Sequence, residues 1–556
     1  MSGTRWARAG LGQASSRGPF LLGLALSLAT WGGYFSWLWP RMFYLKEDGL
    51  WAGTPEIWAD WAAHLAYANV FAYRSPSAWF SVHPLFAGER FNYPFVSDGL
   101  SGLLIGAGAD PVSAFVLPSI AASLALVVAL YTFYAVLLGS PWLALLAQTL
   151  FFASGGLDFI ASLQAIAHGG FDVPLREYAT LSAFGIRWFN VVGAELLPQR
   201  AMLFGLPVAL AILITLARYR GTGLRAAAPS TLLALSLASV VLLATHPHSF
   251  LAVVLASALM ALFDLRSLRA WLLFAVSAGL PSAALFAFIY GDAGAYSFAG
   301  WQPGWLAAST GLPLWLFLWI NWGVFLPLVL ASLLRFRDRL DPFVLTGLIL
   351  FVVCFLVRLQ PHAWDNTKLL TWAQLLLCAP VARYLGALWA RPQRFARIVA
   401  VLLVVFSTAS GGLELWQLTR PQLAVRMWSS EELQLSAEFR TRSGPMSVVA
   451  SAGSSHHWVS SLSGRPVLLG YPGWLWSYGF DYVPIERDVQ TILRGGAESE
   501  ELIRRHGVEF VVIGPVERED SAAESYFRTH HDLLLESAGY TVFRVAEQRL
   551  IAPVAP

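Results

Sequence analysis

Residues 200–263 read RAMLFGLPVALAILITLARYRGTGLRAAAPSTLLALSLASVVLLATHPHSFLAVVLASALMALF. Three apolar runs lie in this stretch, at 200–217, 229–245 and 248–263, and each comes near the roughly 20 residues that a helix needs to cross a bilayer. Arg218, Arg220 and Arg225 separate the first two runs. Only His246 and Pro247, in the turn Thr245-His246-Pro247-His248, separate the last two. A cationic turn followed by a tight polar turn is the pattern of a chain that crosses one membrane repeatedly and leaves its arginines on one side.

The same rhythm extends in both directions. Further apolar runs at 19–39, 112–138, 141–155, 271–290, 311–333, 342–358, 368–388 and 396–412 bring the expectation to about eleven spans. Arg5, Arg8 and Arg17 ahead of the first run superficially suggest a signal peptide, but the run is of spanning length and no convincing small-x-small site follows it, so it reads as the first membrane helix. Of the 556 residues, 56% are hydrophobic and 13% charged, and mean hydropathy is +0.57. That is too little polar surface to clothe a soluble enzyme. A net charge of +3, with basic residues scattered between apolar runs, gives nucleic acid no patch to bind. The 24 tryptophans suit long membrane boundaries. Cys354 and Cys378 both fall inside apolar runs and read as small buried hydrophobes.

With a cytoplasmic N-terminus, alternation places Arg218, Arg220 and Arg225; Arg266 and Arg269; Arg335, Arg337 and Arg339; and Arg391, Arg394 and Arg397 all in the cytoplasm. The long polar stretches then share the outside. The expected architecture is an α-helical polytopic protein of an inner (plasma) membrane: a membrane domain over 1–412 with outer loops at 40–111 and 156–199, and a small extracytoplasmic α/β domain over 413–556. In that tail, strand-like runs at 446–450, 467–469, 509–513 and 541–545 alternate with helical segments near 486–494, 498–506 and 523–537. The first outer loop, rich in Trp, Tyr and Pro, reads as short interfacial helices.

Polar chemistry concentrates in the outer segments. Glu56-Ile-Trp-Ala-Asp60-Trp-Ala-Ala-His64 sets Glu56, Asp60 and His64 four residues apart, on one helical face. A carboxylate and imidazole so spaced can serve as general base and orienter or hold a cation, or can simply be a solvated face. Arg90 and Asp98, in His83-Pro-Leu-Phe-Ala-Gly-Glu-Arg90-Phe-Asn-Tyr93-Pro-Phe-Val-Ser-Asp98, are candidates for substrate contact. In the second loop stand His168-Gly-Gly-Phe-Asp172 and, at a helix mouth, Leu197-Pro-Gln199-Arg200; Arg200 suits a lipid phosphate or snorkels to headgroups. His246 and His248 flank the proline of the tight outer turn. Arg358, Asp365 and Lys368 crowd the entry to a span, where ionisable groups are costly and so either pair with each other or bind something.

The long first loop bearing Asp60, the span count and the α/β tail together resemble the GT-C superfamily of integral membrane glycosyltransferases. The tail segments Gly470-Tyr-Pro-Gly-Trp-Leu-Trp-Ser-Tyr478, Glu486-Arg487-Asp488-Val489 and His506-Gly-Val-Glu-Phe-Val-Val-Ile-Gly514-Pro-Val-Glu517-Arg518 resemble YYY-type membrane proteins. The resemblance implies an inverting transfer from a polyprenyl-phosphate-linked sugar to a glycan, lipid or protein acceptor, with Asp60 as base and Arg200, His246, His248, Arg358 and Lys368 as candidates for the donor phosphate. A divalent cation, Mg or Mn, is the cofactor such a site would take, although Asp60 lacks the adjacent acidic partner common in that superfamily. Trp474, Trp476, Arg487 and Glu517-Arg518 read either as an acceptor surface or as a docking face. A transporter or flippase, or a scaffold for envelope assembly, are the competing classes; spans that are apolar in their middles and polar at their outer ends speak against transport.

Overall fold

The structure, a computed structural model, describes residues 17–160, 163, 185–188, 190–291, 299–336, 341–520 and 522–545. The His168 to Asp172 motif, Arg337 and Arg339 lie outside these residues.

Every apolar run folds as helix, and the local sequence shows why the helices begin where they do. Pro111, Pro141 and Pro342 each take the first helical turn, where a missing N–H costs nothing. The preceding Asp110, Ser140 and Asp341 cap the free backbone amides with their side chains. Among the described residues, six helices are long and apolar enough to cross a membrane: Arg17–Met42, Pro111–Leu138, Arg200–Arg218, Leu265–Tyr290, Ala363–Trp389 and Arg394–Gln417. Shorter apolar helices, including Pro141–Phe152, Pro229–Thr245, Pro247–Phe263 and Pro342–Leu356, fill the bundle between them. The chain is a multi-pass membrane protein.

The run 311–333 departs from the expected straight span. It breaks into Leu314–Trp322 and Phe325–Phe336, bent by 93°. The break falls at Gly323, whose φ of +50° disfavours any L side chain, and a Cβ there would meet Leu157 at 2.9 Å. Trp315 and Trp319 on the first half are exposed, as befits a helix lying along a membrane boundary.

One end of the bundle carries the arginines. Arg220 pairs with Asp341, tying the helix Arg200–Arg218 to Pro342–Leu356, and Asp264 accepts from the Leu224 amide at 2.9 Å and the Trp271 indole at 3.1 Å. The opposite end carries the first loop and the tail. Nine strands are described: β1 (Phe43–Lys46), β2 (Gly49–Ala52), β3 (Gly300–Trp301), β4 (Val357–Arg358), β5 (Val425–Ser429), β6 (Val448–Ala450), β7 (Val508–Ile513), β8 (Asp532–Ser537) and β9 (Tyr540–Arg544).

Loop and tail are woven together. The β1–β2 hairpin of the first loop is extended by β5 of the tail into one antiparallel sheet. Val467 and Gly470 donate their amides to Pro84 and Leu85, while Ala87 donates to Val467. His456 stacks on Trp58 with ring centroids 3.9 Å apart. A single apolar cluster mixes Tyr67, Phe71 and Phe91 with Leu468, Leu475, Val511 and Phe543. Residue 412 is therefore no boundary in packing. The helix Pro55–Tyr73, expected to lie on the membrane, is buried along most of its length beneath this roof.

In the tail itself, β6 and β7 run parallel across the helices Val483–Arg494 and Ala497–His506, giving the expected βαβ unit in a sheet ordered β6-β7-β9-β8. The segment 523–537 is only half helical. After Glu524–His530 the chain becomes β8, because Ala538 (φ +55°) and Gly539 (φ +75°) form a two-residue turn whose twist suits an antiparallel hairpin with β9. Leu468 and Leu469 make no strand; Val467 alone bridges to Val449.

The weave makes a test. Gly464 (φ +74°) packs against the first-loop helix, and a Cβ there would stand 2.9 Å from Asn69 and from Tyr73. Gly464→Val is expected to cost about 1–3 kcal/mol of strain and to loosen the tail, read as faster proteolysis of the tail in the detergent-solubilised protein. Gly88→Ala, with open space at its Cβ, is expected to leave the cleavage rate unchanged.

Candidate functional site

The helix Pro55–Tyr73 begins at Thr54, whose hydroxyl accepts from the Ile57 amide, with Glu56 in the first turn. Glu56, Asp60 and His64 therefore stack on one face, as the spacing predicts. Their surroundings differ sharply. His64 Nδ1 is 2.8 Å from Asp98 Oδ2, and Asp98 Oδ1 accepts from the Arg200 guanidinium at 2.8 Å. Arg200 also donates to Ser101 Oγ at 2.7 Å and lies 4.0 Å above the Phe115 ring. Asp98 and Arg200 are both 0% exposed. Expected as substrate contacts, His64, Asp98 and Arg200 instead form a closed network, because a charge sealed from water must spend its bonds on a partner.

Asp60 faces a different space. It keeps part of its surface open, and its Oδ2 accepts from the Gln199 amide at 2.7 Å. Burial raises its pKa; His64 and Lys368 pull it down, while Asp365 and Glu56 push it up. Asp60 thus lies within electrostatic reach of those charged groups. Lys368 Nζ lies 3.2 Å from Asp365 Oδ1, with 13% and 19% of the two side chains exposed. The segment that presents them is rigid. Asn366 donates to the carbonyls of Cys354 and Val357 at 3.0 and 2.8 Å and accepts from the Leu359 amide, while Trp305 donates to the Ala363 carbonyl at 2.7 Å.

The remaining predicted residues have surroundings of their own. His246 is almost fully buried, with Nδ1 2.7 Å from Ser249 Oγ. Burial, reinforced by Lys368, pushes its pKa down to about 3, so it stands as a neutral imidazole and not as a phosphate-binding cation. His248, 5.2 Å away ring to ring, meets the Gln360 amide. Arg358 sits on β4, opposite Gly300 of β3. Arg90 is exposed over Phe288, at the outer side of the helix Leu268–Tyr290. In the tail, Glu517 is fully buried and accepts from the Ala452 and Gly514 amides, both at 2.8 Å. Burial alone would raise it, but His457 and these amides hold it down to about 2. It braces the loops after β6 and β7.

Beside Tyr93, three further participants join from other parts of the chain: Tyr478, Trp476 and Glu195. Tyr478 of the tail accepts from the Tyr67 hydroxyl at 2.6 Å, and the Tyr93 ring packs 4.6 Å from that of Tyr67. Burial raises the pKa of both Tyr93 and Tyr478, and Asp60 adds to each shift, so both phenols stand neutral within electrostatic reach of Asp60. Trp476, two residues earlier, meets His362 edge to face at 4.5 Å. Glu195 is the third. It stands in a π-turn, Val192–Leu196, and is 2% exposed. Burial raises its pKa to about 7 against Lys368 and Thr367, which lower it, while Asp365 and Asp60 add to the rise. Its one sequence signal is a lone carboxylate in the apolar stretch Val-Val-Gly-Ala-Glu195-Leu-Leu.

Among the described residues no group of three or more His, Cys, Asp or Glu side chains is gathered to hold a metal ion. Asp365 already spends one oxygen on Lys368 at 3.2 Å.

No protein-family model and no curated protein sequence matches the chain. Among solved structures it is similar to ArnT from Cupriavidus metallidurans in the apo state, at 11% identity over 95% of this chain and 97% of that one, with a TM-score of 0.45. It is likewise similar to ArnT from the same organism bound to undecaprenyl phosphate, at 12% identity over 95% and 98% of the two chains, TM-score 0.47. The Archaeoglobus fulgidus oligosaccharyltransferase complex with Zn and sulfate is similar at 13% identity over 88% and 67%, TM-score 0.39.

The two cations of the site area should behave differently on removal. Arg200→Met strands Asp98 in a closed interior and is expected to cost about 3–5 kcal/mol. Lys368→Met removes the partner of Asp365, in a pair 13% and 19% exposed, and is expected to cost more than the roughly 1 kcal/mol of a surface pair but less than Arg200→Met. Thermal unfolding of the solubilised variants checks the order.

Proposed function

We propose that this chain is a membrane glycosyltransferase of GT-C type that moves a sugar from a polyprenyl-phosphate carrier to an extracytoplasmic glycan, lipid or protein acceptor. The observation that supports it is a partly open carboxylate, Asp60, whose proton affinity burial raises, within electrostatic reach of Lys368, an ammonium at the end of an apolar helix. In this reading the acceptor hydroxyl attacks the anomeric carbon, its proton passes to Asp60, and the bond from that carbon to the phosphate oxygen breaks. Attack from the face opposite the phosphate inverts the anomeric centre. The electron pair leaves on the phosphate, whose added charge Lys368 stabilises. General-base assistance of this kind contributes typically about 100-fold to 10,000-fold, and a fixed cation at the leaving group adds to it.

The arginine end of the bundle supports a cytoplasmic N-terminus and an outward-facing site in an inner (plasma) membrane. Tyr478 and Trp476, in the tail segment that resembles YYY-type proteins, meet Tyr67 of the first loop and His362 of the bundle.

Asp60→Asn keeps size and shape but removes the base. It is expected to lower transfer from a radiolabelled polyprenyl-phosphate sugar at least 100-fold while the protein inserts and melts as wild type does. Because burial raises the Asp60 pKa, wild-type transfer is expected to fall as acidification protonates that base. Full turnover by Asp60→Asn, or substrate uptake into liposomes without any glycosyl product, would overturn the assignment.

A further inference from the structure

Two aspartates flank the first-loop helix face, and their partners set them apart. Asp98 meets His64 at one oxygen and Arg200 at the other, each at 2.8 Å, so neither oxygen is left for another task. Asp60, one helical turn before His64, meets a neutral amide instead: Gln199 Nε2 donates to its Oδ2 at 2.7 Å.

The amide is held in place by its backbone. The Gln199 carbonyl accepts from the Met202 and Leu203 amides at 2.9 and 3.2 Å, and its own amide donates to the Glu195 carbonyl at 3.1 Å. Gln199 thus occupies the capping position of the helix Arg200–Arg218, yet its side chain caps none of that helix's amides. Serine, threonine, aspartate and asparagine are the residues that serve such a position well. A glutamine there reaches past the helix end to another element, and the element it reaches is the one that carries Asp60. Its neighbour Arg200 is pinned by Asp98 and Ser101, which fixes the point from which it reaches.

A general base changes state as it works, from carboxylate to carboxylic acid. An arginine or lysine bonded to it would favour the charged state and resist that change. An amide N–H serves both states: when the proton arrives on Oδ1, Oδ2 becomes the carbonyl oxygen of the acid, and a carbonyl oxygen still accepts.

We propose that Gln199 is a positioning residue for Asp60: its amide holds Oδ2 and turns Oδ1 toward the acceptor, so that one defined oxygen takes the hydroxyl proton. This rests on the reading of Asp60 as the base. In the step so assigned the acceptor O–H bond breaks and the bond from Oδ1 to hydrogen forms. The acceptor oxygen bonds to the anomeric carbon, and the bond from that carbon to the phosphate oxygen breaks with its electron pair leaving on the phosphate. Gln199 neither gains nor loses a proton. The charged and titratable groups that bear on Asp60 are Glu56 and His64 of its own helix, Lys368 and Asp365 of the bundle, and Tyr93, Tyr478 and Glu195.

The test follows the Asp60 carboxyl itself, by infrared difference spectroscopy of the full chain in detergent, through the protonated-carboxyl band that Asp60→Asn removes. An N–H donated to a carboxylate favours the ionised form, so Gln199→Leu is expected to move the midpoint of that band to higher pH, by about one pH unit for the bond lost. In transfer from the radiolabelled polyprenyl-phosphate sugar, Gln199→Leu is expected to lose about tenfold to 100-fold in kcat with KM for the donor unchanged, and to regain part of the loss at higher pH. A midpoint that stays at the wild-type value, an unchanged kcat, or a loss confined to KM overturns the inference. Should Gln199→Leu not fold, Gln199→Glu, of the same size, replaces it. Two carboxyls so close resist ionising together, so the Asp60 midpoint is expected to rise, and no rise overturns the inference. Asp60→Asn separates the two claims. Wild-type transfer by that variant removes Asp60 as the base and this inference with it, whereas an inactive Asp60→Asn beside an unmoved midpoint in Gln199→Leu removes Gln199 alone.

Discussion

The buried contact of Arg200 with Asp98, completed by His64, holds together everything that makes this site. Each member comes from a different element: Arg200 from the mouth of a membrane helix, Asp98 from the short helix Val96–Gly106, and His64 from the first-loop helix. Isolated charges in such a place would cost several kcal/mol each. Paired at 2.8 Å on both sides of one carboxylate, they can exist only if the three elements keep this mutual placement. One helical turn before His64 on the same face is Asp60, and Gln199, the neighbour of Arg200, reaches back to it. The closed network thus sets the position of the open carboxylate.

A second constraint comes from the tail. An outer loop with its own hairpin and a buried helix has edges and apolar faces that need cover, and β5, Val467 to Gly470 and His456 provide it. Because the cover is made of backbone ladders as well as side chains, the tail's position is specified and not merely adhesive. That is how Tyr478 and Trp476, far along the chain, come to meet Tyr67 of the first loop and His362 of the bundle.

The sequence by itself determined the membrane character, the position of the long apolar helices, the arginine-rich turns between them and the βαβ core of the tail. These are properties of local pattern: runs of apolar residues, proline after a capping residue, and alternation of strand and helix, all of which a chain carries wherever it folds. It also marked Asp60 and Lys368, since an ionisable group at a helix mouth is costly enough to need a reason.

Tertiary structure alone decided which polar residues were sealed and which were left open. Arg200, His246 and Lys368 look alike in sequence, each a basic residue at an apolar boundary. In the fold Arg200 is consumed by Asp98, His246 is neutralised by burial, and Lys368 keeps an accessible face. Glu195 escaped notice for the converse reason: its significance lies in what surrounds it, and those neighbours come from segments more than a hundred residues away. The bend at Gly323 and the strand at 532–537 belong to the same class, because each depends on the backbone conformation of one or two residues that hydropathy cannot register. Local pattern fixes the elements, whereas solvation and pairing, which select the reactive groups, are properties of the assembled interior.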